Sequence, residues 1–224
     1  MKAWLHSVRV LVWKDLLQEW RSRDILTSML AFAVLSLFIF NYALELLPIN
    51  RSEIAPGIVW VVMVFAGTLG LNRSFTAEQD QGCFEGLIMA VPDLSAIYFA
   101  KLLTNLLMMV FLAVLVIPIY SILYNQSLLN WAFFGVLALG AWGYSAAGTL
   151  ISSMTVQTRM RDLLLPVLLF PLLLPVNMAV VKSCGVLLGS VAGQDINGWL
   201  NLLLVYDAVV TMLSIMVFEY VIQE

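Results

Sequence analysis

Long apolar runs separated by short polar connections set the pattern of this chain. Six of the runs, at about 25–47, 54–71, 102–124, 128–153, 163–181 and 200–222, can each cross a bilayer, because a hydrocarbon core of ~30 Å needs roughly 20 helical apolar residues. The pattern therefore predicts an all-α membrane protein with six transmembrane helices. Residues 1–24 stand apart as an N-terminal interfacial helix, and 25–224 form one six-helix permease-like domain.

The N-terminal stretch predicts a helix with Ser7, Lys14, Gln18 and Arg21 on one face and Trp4, Leu5, Val8 and Val12 largely opposite. Asp15 and Glu19 border the apolar side and spoil the stripe. The expected structure is an elbow lying in the bilayer interface, with Trp4, Trp13 and Trp20 at headgroup level and basic residues meeting anionic lipid. His6, the single histidine, lies on this segment.

Residues 73–101 form the one long polar interruption. Thr76 followed by Gln79 reads as a capping box opening a short helical turn that Gly82 can stop. Phe84, Leu87, Ile88 and Val91 then recur at helical spacing before Pro92. Such an amphipathic segment lies flat on a membrane or on a partner, or only covers the ends of its neighbours.

The spans carry their own punctuation. Pro56 suits the first turn of span two, and Pro118 is placed to kink span three. Gly140, Gly143, Ser145, Ala147, Gly148 and Ser152 permit close packing around span four. Pro166, Pro171 and Pro175 rule out one regular helix through span five, which is then either a pathway-lining element or a kinked, packed one. Asp207 falls about 12 Å below Trp199 along span six. A carboxylate there must face the bundle, pair or be protonated, and it serves either helix packing or a pathway.

Composition agrees with this picture: 62% of the 224 residues are hydrophobic and 11% charged, with a mean hydropathy of +0.97. What lies outside the spans is too short for a further soluble domain. Charge fixes orientation more than partners. Of the 11 lysines and arginines, only Arg51 and Lys182 fall on the side opposite the rest, which places both termini and the 73–101 loop in the cytoplasm. Cys83 and Cys184 are then on opposite sides and cannot pair, and span one is expected to act as the insertion signal.

Chemistry-bearing motifs are sparse. There is no Walker A sequence, no G-x-S-x-G elbow and no H-E-x-x-H pair, and the basic residues serve topology rather than nucleic acid. An enzyme, a directly bound cofactor and a metal site are not expected.

The loop residues Glu78, Asp80, Gly82, Phe84, Glu85, Leu87 and Pro92, followed by Ala100 and Lys101, resemble the coupling region of type 2 ABC exporter permeases. The runs Ile54-Ala55-Pro56-Gly57-Ile58-Val59-Trp60, Arg159-Met160-Arg161-Asp162-Leu163-Leu164-Leu165-Pro166, Phe170-Pro171 and Leu174-Pro175 narrow the resemblance to the CcmB family, the membrane subunit of the haem-exporter complex in cytochrome c maturation. That resemblance implies a multi-pass subunit of the bacterial inner membrane. It implies a CcmA-like ATPase that hydrolyses the ATP, CcmC-, CcmD- and CcmE-like maturation proteins beside it, and haem as candidate cargo. On that footing Phe84 and Leu87 are the expected ATPase-docking contacts, with Glu78, Asp80 and Glu85 as polar partners around Gly82. An ABC-2 exporter of lipid, glycan or drug, and a non-transporting scaffold, are the alternatives.

Overall fold

The structure, a computed structural model, describes residues 2–45, 51–80, 93–125, 128, 130–155, 158, 160–189 and 195–223. Among them the chain forms eight helices in order: α1 (Lys2–Ser22), α2 (Asp24–Glu45), α3 (Arg51–Asp80), α4 (Leu94–Tyr124), α5 (Trp131–Thr155), α6 (Arg161–Leu172), α7 (Leu174–Leu187) and α8 (Ile196–Gln223). Five of these, α2, α3, α4, α5 and α8, are long and apolar enough to cross a membrane. The pair α6 and α7, bent by 59° at their junction, is either a broken sixth span or a re-entrant hairpin, so five or six of the spans that the apolar runs predict are present.

Burial sorts the spans into centre and rim. In their most apolar windows, 72% of α3 and 67% of α5 are buried, against 17% of α2 and 22% of α8. The two central helices are the ones with small residues where neighbours must approach. A Cβ added at Gly140 would strike Val180 of α7 and Trp60 of α3, and one at Gly148 would strike Leu71 of α3. Glycine at these positions leaves room for the Val180, Trp60 and Leu71 side chains to pack against the α5 backbone, where lipid gives helices no hydrophobic reason to associate.

Two helix boundaries differ from the sequence expectation. Helix α3 begins at Arg51, so Pro56 sits in its second turn, where it gives up one backbone bond rather than marking the start. The same helix runs unbroken to Asp80, so Thr76 lies inside it rather than at the start of a separate turn. With no glycine or proline between Leu71 and Asp80, nothing stops the helix, and the capping-box pattern is overridden. At 1.5 Å per residue its 30 residues span ~45 Å, about 15 Å more than a bilayer core. Helix α4 likewise starts eight residues before the apolar run, at Leu94. There the Asp93 carboxylate accepts the Ser95 N–H at 3.0 Å, the side-chain cap that an N-terminus needs.

The break between α6 and α7 lies at Leu173, between Pro171 inside α6 and Pro175 in the first turn of α7. A helix end inside a membrane leaves carbonyls without partners. One of them, on Leu172, accepts the Tyr206 hydroxyl of α8 at 2.9 Å. A second tie holds the far side of the break, where Trp60 Nε1 donates to Asn177 Oδ1 at 2.8 Å.

Candidate functional site

The cytoplasmic end of the bundle, under the expected topology, is built around α1, which packs across the start of α4. Val8 and Leu11 are buried there, and the Trp4 indole N–H donates to Ser95 Oγ at 2.9 Å while its ring meets Phe99 edge-on at 5.2 Å. Trp4 is therefore a packing residue of the bundle. Trp13 and Trp20, 68% and 72% exposed, keep the outward position expected of all three.

The two acidic residues that spoil the apolar stripe of α1 belong to the buried face. Asp15 reaches the Lys101 ammonium of α4 at 3.0 Å, and both side chains are less than a tenth exposed. Lys14 flanks the same carboxylate at 3.1 Å. One turn on, the buried Glu19 carboxylate accepts the Leu26 N–H at 2.8 Å and so caps α2 from the preceding helix. Arg23, with φ of 57°, makes the turn between the two helices. Burial pushes the Glu19 carboxyl above its ordinary value, an effect opposed by the Leu26 and Ile25 N–H groups, reinforced by the Asp24 charge and eased by Arg73.

Arg73 in turn donates to the Asp24 carbonyl at 3.3 Å. The exit of α3 is thus fastened to the start of α2, and the entry of α4 is fastened to α1. These anchors stand on either side of the segment for which docking contacts are expected. Glu78 and Asp80 lie on the last turns of α3, and their side chains are outside the described residues. Gly82, Phe84, Glu85 and Leu87 lie wholly outside them.

Sequence reasoning missed Asp15, Glu19, Asp93 and the pairing of Lys101. The signal was present: Asp15 and Glu19 are four apart, hence on one helix face, and that face is otherwise apolar.

Within the bundle the structure places Pro166 and Pro171 along α6, Pro175 just past the break, and Asp207 on α8 against α5. Asp207 is 7% exposed. A Cβ at Gly143 would collide with its Oδ1, and neither carboxyl oxygen has a hydrogen-bond partner among the described residues. The prolines shape α6 and α7, while Asp207 fills the notch left by Gly143. Elsewhere polar groups pair across helices, as where Asn105 Nδ2 donates to Thr149 Oγ1 at 3.0 Å and Trp142 Nε1 to Thr211 Oγ1 at 3.1 Å. Among the described residues no three His, Cys, Asp or Glu side chains gather as a metal site would require.

Residues 6–223 match the family described as CcmB protein. The chain is similar to the heme exporter protein B of Haemophilus influenzae, with 30% identity over 146 residues, 65% of this chain and 66% of the relative. That of Rhodobacter capsulatus is 30% identical over 125 residues, covering 55% and 57%. That of Pseudomonas aeruginosa is 27% identical over 154 residues, covering 66% and 65%. In each case the aligned part is just under two thirds of the relative's length or less.

Proposed function

The chain belongs to the CcmB family, and on that premise we propose that it is the membrane permease subunit of an exporter complex that serves haem export in cytochrome c maturation. ATP hydrolysis falls to a separate CcmA-like subunit docked on the cytoplasmic side, with CcmC-, CcmD- and CcmE-like proteins as neighbours in the bacterial inner membrane.

The observation that carries this reading is the pair of overlong helices flanking one connection. Helices α3 and α4 have 30 and 31 residues; α3 runs out along the polar stretch 72–80, and α4 enters from residues 81–92 with its first turns packed in the bundle. Closure of an ATPase against that segment would move two rigid levers, and a lever transmits displacement where a flexible loop absorbs it. Coupling also requires that the ATPase contact the permease differently in its two states. Glu78 and Asp80 on α3, with Gly82, Phe84, Glu85 and Leu87 beyond, are the docking residues of this scheme. The break at Leu173 gives α6 and α7 a place to yield when α3 shifts, and both termini are cytoplasmic.

The test is a haem-stained gel of c-type cytochromes from cells lacking the chain, complemented either with the wild type or with Asp80→Lys/Glu85→Lys. Loss of covalent haem that only the wild type restores supports the proposal. Restoration by both copies removes the docking residues from it. Normal cytochromes in the deletion strain move the chain to export of another amphiphile.

A further inference from the structure

Arg9 of helix α1 stands beside an apolar groove. A cavity of about 660 Å³ lies along α1, lined among others by Leu5, Val10, Trp13, Leu16 and, from α4, Leu103, with His6 and Arg9 as its polar members. The carboxylates of the helix are engaged elsewhere, Asp15 with Lys101 and Lys14, and Glu19 with the α2 N-terminus. Among the described residues no acidic side chain lines the groove, and Arg9 makes no ion pair or hydrogen bond.

The groove also continues into the membrane-facing surface. Leu103 is followed at helical spacing by Leu107, Phe111 and Val114, which are 44%, 46% and 48% exposed. These residues make one apolar stripe down α4. The eleven helical steps from Leu103 to Val114 descend ~16 Å, close to half of the ~30 Å hydrocarbon core. Leu5, Val10 and Trp13 are themselves more than half exposed on a helix that does not cross the membrane, a patch that is stable only against an apolar phase.

We propose that the groove between α1 and α4 is a binding site for an anionic phospholipid, whose phosphate is held by Arg9 and whose acyl chain runs over Leu103 and down the α4 stripe. A planar guanidinium grips phosphate oxygens with two hydrogen bonds. The exposed tryptophans Trp13 and Trp20 set α1 at headgroup depth, which brings head and tail of one lipid to the right places together. The site does not depend on the exporter reading, since it uses neither the docking segment nor the prolines.

The test reconstitutes the full chain in vesicles of phosphatidylglycerol and phosphatidylcholine in equal amounts, extracts it gently and counts retained lipid by native mass spectrometry. The wild type is expected to keep phosphatidylglycerol in preference, and Arg9→Ala to lower that preference about fivefold, the weight of one cation near an anionic surface. Arg9→Lys should keep only part of it, since the charge remains but the two-pronged grip is lost, and Leu5→Gln should reduce retention of both lipids alike. Equal retention of the two lipids by the wild type would overturn the proposal, as would an undiminished preference in Arg9→Ala. Displacement of the phospholipid by added haem, with a Soret band that His6→Ala removes, would overturn it in favour of a haem groove.

Discussion

Asp15 and Lys101 illustrate how much a single partner decides in a poorly solvated place. Each is less than a tenth exposed, so the attraction between them is set against the cost of taking both charges out of water. Removing Asp15 takes this buried counter-charge from Lys101, whereas removing Lys101 leaves Asp15 with the more exposed Lys14. Asp15→Ala is expected to destabilise the chain by about 3 kcal/mol, read as a fall in thermal midpoint in detergent. The double change Asp15→Leu/Lys101→Met should recover most of that loss, because it buries no charge; a double variant as unstable as the single one would show that the pair matters for more than its own charge balance. Glu19 makes a related argument through pH. Its carboxyl titrates higher in the folded chain than the ordinary 4.5, so the folded chain keeps a proton that the unfolded chain releases. Stability from this group therefore declines as pH rises from 4.5 toward the raised folded value and is level above it. Glu19→Gln keeps an acceptor for the Leu26 N–H and abolishes that decline. Thermal midpoints measured between about pH 4 and about pH 7 should fall less in the variant than in the wild type.

At the scale of elements, apolar length was a good guide and local capping chemistry a poor one. The spans are legible as runs of about 20 apolar residues, because a bilayer leaves a chain no other way to satisfy its backbone. The bend in span five was legible for the same reason: Pro171 and Pro175 each remove a donor, and the break at Leu173 falls between them. The Thr76-to-Gln79 box misled, since a box opens a helix only where the preceding residues are not already helical. Asp93 was invisible because hydropathy sets the boundary of a span at the membrane surface, whereas the helix ends where its capping residue stands. Which helix lies at the centre was not legible from hydropathy at all; it depends on whose glycines meet whose side chains. The tie between α8 and the broken span can be tested directly. Tyr206→Phe removes the hydrogen bond to the Leu172 carbonyl and is expected to cost about 1 kcal/mol of stability, with a larger loss if no water reaches that carbonyl.

At the scale of the whole molecule, the proposed docking residues rest on resemblance alone, since Phe84, Glu85 and Leu87 have the same apolar and acidic character as many interfacial loops. The continuity of α3 from the bundle to Asp80 changes what the connection can do. A short separate helix on a loose loop would tolerate insertions, whereas a rigid extension would convert them into rotation. One alanine inserted between Phe75 and Thr76 turns everything beyond it by about 100° and lengthens the helix by only ~1.5 Å. If α3 is a lever for the ATPase, this chain should remain at wild-type abundance in the membrane yet fail to support haem attachment to cytochromes. Four inserted alanines bring the face back to within about 40° of its original direction at the expense of ~6 Å in length, and should recover part of the activity. Equal activity from the one-residue insertion and the wild type would mean that the segment is joined flexibly and that force reaches the bundle through α4 and its buried Lys101–Asp15 pair instead.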